Sequence, residues 1–282
     1  MKRRTFLGHA AVGTAALSSA ALLLAQEGRT VSSVWCGAVT TTSARLAVRL
    51  YEASMNVRLG LAKVAKWEED SFTPVQVTNP ETGNALTFDV KDLQPGQTYH
   101  YAVEVDGKID DKAVGQFATF PEKPKEFTVC FASCATTGSD SSVFTTILNQ
   151  KPNLFIHMGD FHYMDIATAD SEKRRSAYSA VLHSATQAEL YKNVPIAYIW
   201  DDHDFLGNNS TGVVDTPAKK AARTNARLIY QESVPHYPLA LGKGDVPLAQ
   251  SFSLGRVKFI LTDTRSEKIP GKTMLNCTFA TS

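Results

Sequence analysis

Residues 193–209 read NVPIAYIWDDHDFLGNN, and the fold is read outward from this stretch. Val194 to Trp200 is a short apolar run bounded by polar turn residues, the pattern of a fully buried strand. It runs directly into Asp201, Asp202, His203 and Asp204 and then into a Gly-Asn-Asn loop. Ligand sites in open α/β sheets lie just beyond the carboxyl ends of such strands. The cluster therefore stands where an α/β domain does its chemistry, although taken alone it is equally compatible with a solvated acidic turn.

The surrounding sequence supports an α/β domain. Strands are expected over 126–134 and 153–159, with helices over 139–150, 171–191 and 217–232, and a hairpin or strand pair over 251–264. Strands alternating with helices of this length imply a mostly parallel sheet covered by helices. Upstream the pattern differs. Short strands are expected over 34–39, 44–50, 57–61, 86–90, 98–105 and 115–120, with turn residues between them. Leu93, Pro95, Gly96 and Tyr99 precede an alternating strand as in a tyrosine corner, which implies an immunoglobulin-like or fibronectin type III-like β-sandwich over 27–120. A proline and lysine hinge at 121–125 separates it from the α/β part at 126–282.

The 282 residues are 43% hydrophobic and 20% charged, and 29 basic residues offset 28 acidic ones to give a net charge of +1. Such a balance excludes nucleic-acid binding by charge. Residues 1–25 stand apart, with Lys2, Arg3 and Arg4, then Thr5-Phe6-Leu7 and an Ala/Gly/Leu stretch. This start resembles a twin-arginine export signal, which implies passage through the twin-arginine machinery and a periplasmic or secreted location. The stretch is too rich in Ala, Gly and Ser for a stable membrane span. Of the four cysteines, Cys36, Cys130, Cys134 and Cys277, the second and third are four residues apart. On one extended strand that spacing leaves about 13 Å between them, too far for a disulfide.

Three strand ends hold metal-competent side chains: Cys134 in F-A-S-C, Asp160 and Tyr163 in G-D-F-H-Y, and Asp202 and His203 in W-D-D-H-D. Neighbouring parallel strands would bring them to one edge. Carboxylates, a phenol, a thiolate and an imidazole can hold a dinuclear site, with Asp160 able to bridge through its two oxygens. Phenolate and thiolate suit ferric iron, whereas carboxylate and amide oxygens suit calcium, magnesium or manganese. Two metals about 3.5 to 4 Å apart polarise a phosphoryl group and generate a hydroxide nucleophile. The bland alternatives are a small core residue for Cys134 and an aromatic packed on its loop for Tyr163.

Taken in order, the twin-arginine start, L-Q-P-G-Q-T-Y-H-Y at 93–101, F-A-T-F-P at 117–121, F-A-S-C, G-D-F-H-Y, W-D-D-H-D and L-T-D-T-R at 261–265 resemble the alkaline phosphatase D family of calcineurin-like metallophosphoesterases. The resemblance implies an N-terminal β-sandwich followed by a layered α/β metallophosphoesterase domain. It also implies an exported hydrolase that cleaves small phosphate esters by a metal-bound hydroxide. Carried over by residue, it makes Asp160 the bridging ligand, Tyr163 and Cys134 ligands of ferric iron, and Asp202 a ligand of the second metal. That second metal would be calcium in first place, with manganese or zinc as alternatives. His203 would face the phosphate. Arg265 would either bind a phosphate oxygen or pair with an Asp at its strand end. His162 would flank the substrate or face away, and Asn208 and Asn209 would supply an amide ligand or cap the loop.

In the family, further strands with a Gly-Asp-x-His segment follow Asp-Thr-Arg, whereas this sequence follows the pattern only through Leu275 before reading NCTFATS. The sequence therefore implies a C-terminally truncated, incomplete α/β domain with impaired activity. The competing expectation is a non-catalytic exported remnant or binding protein.

Overall fold

A computed structural model describes residues 30–123 and 126–271 of the chain. The basic N-terminal segment, part of the 121–125 hinge and Cys277 lie outside the described residues. Seven strands come first: β1 (Val31–Gly37), β2 (Ala44–Leu50), β3 (Asn56–Ala62), β4 (Gln76–Val77), β5 (Ala85–Val90), β6 (Thr98–Val105) and β7 (Lys108–Ala118). They alternate as half-buried strands do, and in β5 the side chains of Leu86, Phe88 and Val90 point inward while Thr87 and Asp89 face out. β5-β2-β1 and β4-β3-β6-β7 form two antiparallel layers that share one core containing Trp35, Leu59, Tyr101 and Phe117. The Gln94 backbone N–H donates to the Tyr99 hydroxyl at 2.9 Å, closing the expected tyrosine corner.

Strand β7 begins seven residues earlier than the apolar pattern suggests. Asp106 and Gly107 both have positive φ, 46° and 80°, and Val105 pairs with Lys108. This is the two-residue turn that Asp-Gly favours, and it extends the ladder through the polar Lys108–Lys112 segment.

The remainder supplies β8 (Val129–Ala132), α1 (Ser142–Asn149), β9 (Leu154–His157), α2 (Ser171–Leu182), α3 (Ala185–Asn193), β10 (Ile196–Tyr198), α4 (Asp202–Phe205), α5 (Pro217–Ser233), β11 (Gln250–Leu254) and β12 (Val257–Leu261). The single helix expected over 171–191 is two helices. Ser184 ends the first by donating to the Val181 carbonyl and caps the next by accepting from the Ala188 N–H. The strand expected over 126–134 stops at Ala132, because Cys134 turns into positive φ (62°).

The two halves are joined by a continuous sheet. Its order is β5-β2-β1-β10-β9-β8, in which Gly37 at the end of β1 pairs in parallel with Ile196. Side chains fasten this seam: the Trp35 indole donates to the Ser233 carbonyl at 3.0 Å, and the Tyr237 hydroxyl donates to the Val39 carbonyl at 2.7 Å. A Cβ on Gly37 would lie 2.4 Å from the Pro235 carbonyl oxygen and 2.6 Å from that of Ile196. Gly37→Ala should therefore destabilise the fold by roughly 2–3 kcal/mol, read as a fall in the urea midpoint. An unchanged midpoint would show that the seam yields freely.

Behind the parallel strands, His157, Phe161, Tyr191 and Tyr198 pack as an aromatic cluster, with Phe161 ring centroids 5.0 Å from Tyr198 and 5.2 Å from His157. Phe161 is fully buried and so anchors the loop that presents its neighbour Asp160. His157 is buried with no hydrogen-bond partner for Nδ1 among the described residues, and burial depresses its pKa to about 3. Its folded pKa lies below the usual unfolded value near 6.5, so the unfolded chain binds the extra proton between those values. Stability supplied by neutral His157 is therefore complete above about pH 6.5 and is lost as pH falls toward 3. Between pH 7 and 5 it should cost roughly 2 kcal/mol, and urea titrations of the wild type and His157→Gln should differ in pH slope by about that amount.

Candidate metal centre at the carboxyl edge of the sheet

Strands β8, β9 and β10 run parallel and adjacent, with Cys130 opposite Phe155 and Phe155 opposite Ile196. Their carboxyl ends therefore finish at one level. Beyond them lie Cys134, Asp160 with Tyr163, and Asp202 with His203, and sequence separation becomes spatial proximity.

Each residue is aimed by a local backbone device. Asp160 has φ 52° and follows Gly159 at φ 100°. A Cβ at residue 159 would sit 2.4 Å from the Asp201 Cβ, so only glycine lets the β9 and β10 ends approach. The Cys134 N–H donates to the Gly159 carbonyl at 3.2 Å, tying the β8 turn to the same point. The Tyr163 N–H is held by the Thr137 hydroxyl at 2.8 Å. The stretch from Asp202 forms the short helix α4 instead of an open loop, and the Asp201 N–H donates to the Asp204 carboxylate at 3.0 Å.

The resulting geometry is tight. The Tyr163 hydroxyl donates to Asp160 Oδ2 at 3.0 Å, and Cys134 Sγ lies 3.4 Å from the same oxygen. Asp160 Oδ1 is buried without a hydrogen-bond partner among the described residues. Asp160, Asp202 and His203 each offer a ligand atom within 4.8 Å of the others. His203 Nδ1 faces Asp165 Oδ1 at 2.6 Å, and its ring lies 4.3 Å from that of Tyr163. Arg265 pairs with Asp201 and approaches Asp202 at 3.5 Å. All six residues singled out from the sequence thus meet at one edge. Cys134 is exposed and not a core residue, and Tyr163 is 39% exposed.

The electrostatics follow from this crowding. Partial burial raises the Tyr163 pKa, reinforced by Cys134 and Asp160. Burial works against charge on Asp202 too, but the Asn209 N–H and the Arg265 charge overcome it and lower its pKa. Burial likewise disfavours protonated His203, yet the hydrogen bond and charge of Asp165, with Asp160 and Asp202, outweigh it and raise its pKa. Asp204 is fully buried, and desolvation lifts its pKa to about 7.

The orphaned Asp160 oxygen and the mixed oxygen, nitrogen and sulfur donor set fit a cation at this edge. A buried carboxylate oxygen without a donor is costly in the absence of a compensating charge.

Other expectations resolve structurally. His162 is fully buried and is held neutral by burial with a pKa near 3, away from any substrate surface. Asp263 is saturated by the Trp200 indole, the Leu248, Arg265 and Ser266 N–H groups and the Ser266 hydroxyl. Asn209 binds Asp202 through its backbone N–H. Two further residues support the site. Asp165 orients His203, and buried Arg174 donates to the carbonyls of Ile166, Asp204 and Phe205 at 2.6, 3.3 and 2.7 Å. Neither follows from a spacing rule, because both contacts depend on how the 160–170 loop closes over α4.

The model of the PhoD-like phosphatase family matches residues 127–278, more than half of the chain. The solved structure described as "Structure of PhoD" superimposes with a TM-score of 0.71 at 19% identity, covering 84% of this chain and 52% of that one. That likeness speaks to the fold, and this chain spans about half the length of the solved protein. The sensor domain of the anti-sigma factor RsgI4 from Pseudobacteroides cellulosolvens is similar only locally, with a TM-score of 0.24 at 19% identity over 33% of this chain and 98% of that one. No curated protein sequence matches.

Proposed function

The chain belongs to the PhoD-like phosphatase family, and from that premise we propose that it hydrolyses phosphate esters at the edge cluster with the help of bound cations. The observation that supports this most directly is the convergence of Asp160, Asp202 and His203 around a carboxylate oxygen left without a donor. Asp160 would bridge, Cys134 and Tyr163 would suit a ferric ion, and Asp202 would hold a second divalent cation, with calcium fitting its oxygen ligands best. Cations there would neutralise charge on the phosphoryl group and lower the pKa of an attacking water.

The remaining work falls to the protein. With Nδ1 engaged by Asp165, His203 would turn Nε2 toward the phosphate. Its raised pKa favours the protonated ring, which stabilises developing charge and can pass a proton to the leaving oxygen. Arg265 fixes the Asp201 and Asp202 carboxylates and would present a further guanidinium N–H to a phosphate oxygen. The basic, alanine-rich start supports export to the periplasm or beyond. Among the described residues no helix is long and apolar enough to cross a membrane.

The test is hydrolysis of p-nitrophenyl phosphate and its bis ester before and after chelation. Removing cations should lower turnover at least about 100-fold, and ferric and calcium ions together should restore it. Turnover indifferent to chelator would refute metal-assisted hydrolysis.

A further inference from the structure

A second concave site lies at the β7 edge of the four-stranded layer, beside α3. A groove of about 380 Å³ is lined by Trp67, His100, Val114, Gln116, Glu189 and Lys192, within the ~300–1,000 Å³ typical of small-ligand pockets. The strand register explains its floor: His100 pairs with Ala62 and Gln116, and Ala102 pairs with Gly60 and Val114. These six strand residues therefore share one face, whereas Tyr101 and Gly115 alternate to the other, where the Tyr101 hydroxyl donates to the Lys192 carbonyl at 3.0 Å, so the groove straddles the β7 edge between that face and α3. Gly60 matters because a Cβ there would lie 2.7 Å from the Trp67 indole Cδ1, so the bare backbone is what seats the indole on the sheet. None of the lining residues belongs to the edge cluster.

The chemistry of the lining selects a ligand class. Lys192 is neutralised by Glu189 at 2.9 Å, so the groove has no spare charge for an anion. Among the described residues His100 and Gln116 make no side-chain hydrogen bond, and the Trp67 indole N–H is buried without an acceptor. The imidazole and the amide each present donor and acceptor, beside the acceptors of Glu189 and the donors of Lys192. An apolar ligand would leave these groups unpaired. A neutral polyhydroxylated ring matches them, because each hydroxyl donates and accepts while the ring's C–H face packs on an indole.

We propose that this groove is a saccharide-binding site, separate from the hydrolytic edge, with Trp67 as its aromatic wall and His100 and Gln116 as its hydroxyl partners. It would hold the protein against a glycan surface without changing the chemistry at the edge.

Tryptophan emission tests this directly. Of three tryptophans, Trp35 and Trp200 are 1% and 2% exposed, so a ligand-induced change reports Trp67. Titration with maltotetraose, cellotetraose and chitotetraose should give a saturable change with at least one of them. Gln116→Ala removes a side chain without structural bonds and keeps the reporter; it should weaken that binding at least fivefold with an unchanged circular dichroism spectrum. Trp67→Ala, followed by calorimetry, should abolish it. No saturable response up to 10 mM of any sugar, equal affinity in Gln116→Ala, or a response to inorganic phosphate in place of sugar would each overturn the proposal.

Discussion

Asp160→Asn should lower hydrolysis of the bis ester by roughly 1,000-fold or more, at or beyond the loss expected from removing one electrostatic stabiliser of a transition state. The substitution is nearly isosteric, and asparagine tolerates positive φ better than most residues, so the 52° conformation at this position is kept. What changes is the charge and the acceptor. An amide would turn an N–H donor toward one side of a site where Asp160 Oδ2 receives the Tyr163 hydroxyl and faces Cys134. It would also remove the carboxylate proposed to bridge two cations. Kinetics should therefore collapse while circular dichroism and the thermal midpoint stay near those of the wild type. A variant within tenfold of wild-type turnover would show that Asp160 is a structural residue of the loop.

Arg174→Met should produce the largest loss of stability, about 3–5 kcal/mol. The guanidinium is 1% exposed and donates to carbonyls of two segments, Ile166 and Thr168 in the loop and Asp204 and Phe205 in α4, and to Asn225 Oδ1 at 3.2 Å. Burial lowers its pKa to about 10, yet it stays charged at neutral pH because five bonds satisfy it. Methionine fills much of the volume but leaves carbonyl oxygens of Ile166, Asp204 and Phe205 unpaired, each worth about 1–3 kcal/mol. Because these carbonyls belong to the loop bearing Asp165 and to α4 bearing His203, activity should fall even under conditions where the variant remains folded. Equal urea midpoints for variant and wild type would contradict this role.

How far the sequence foretold the architecture depended on whether the deciding force was local. Strands β2 and β6 start and stop where alternation and turn residues place them, because pleating against one core dictates both. The apolar pattern gives only the second half of β7 because its first half is polar, although the Asp106–Gly107 dipeptide marks the turn that makes it pair. The break between α2 and α3 depends on Ser184 choosing a cap, reinforced by the Asp140 carboxylate accepting from the Ala185 N–H at 2.5 Å, a contact across 45 residues. The edge residues were legible as a group because parallel strands deliver their carboxyl ends to one level, a consequence of topology alone. Asp165 and Arg174 were not, since His203 and Phe205 reach them only when the 160–170 loop closes over α4.

The continuity of the sheet gives the upstream layer a part in the site. β10 carries Asp202 and His203 at its end and is pinned laterally by β1 through Gly37. The edge is thus braced on one side by β9 and on the other by a strand that precedes it by about half the chain.

Whether the convergent edge holds cations is answered by elemental analysis of the purified chain, wild type beside Asp160→Asn, after passage over a chelating resin. The wild type should retain at least one equivalent of iron or a divalent cation, with a visible ferric tyrosinate band if iron sits against Tyr163, and both should be lost in the variant. A wild type that turns over phosphate esters while free of metal, or equal metal content in the two proteins, would contradict cation binding at this edge.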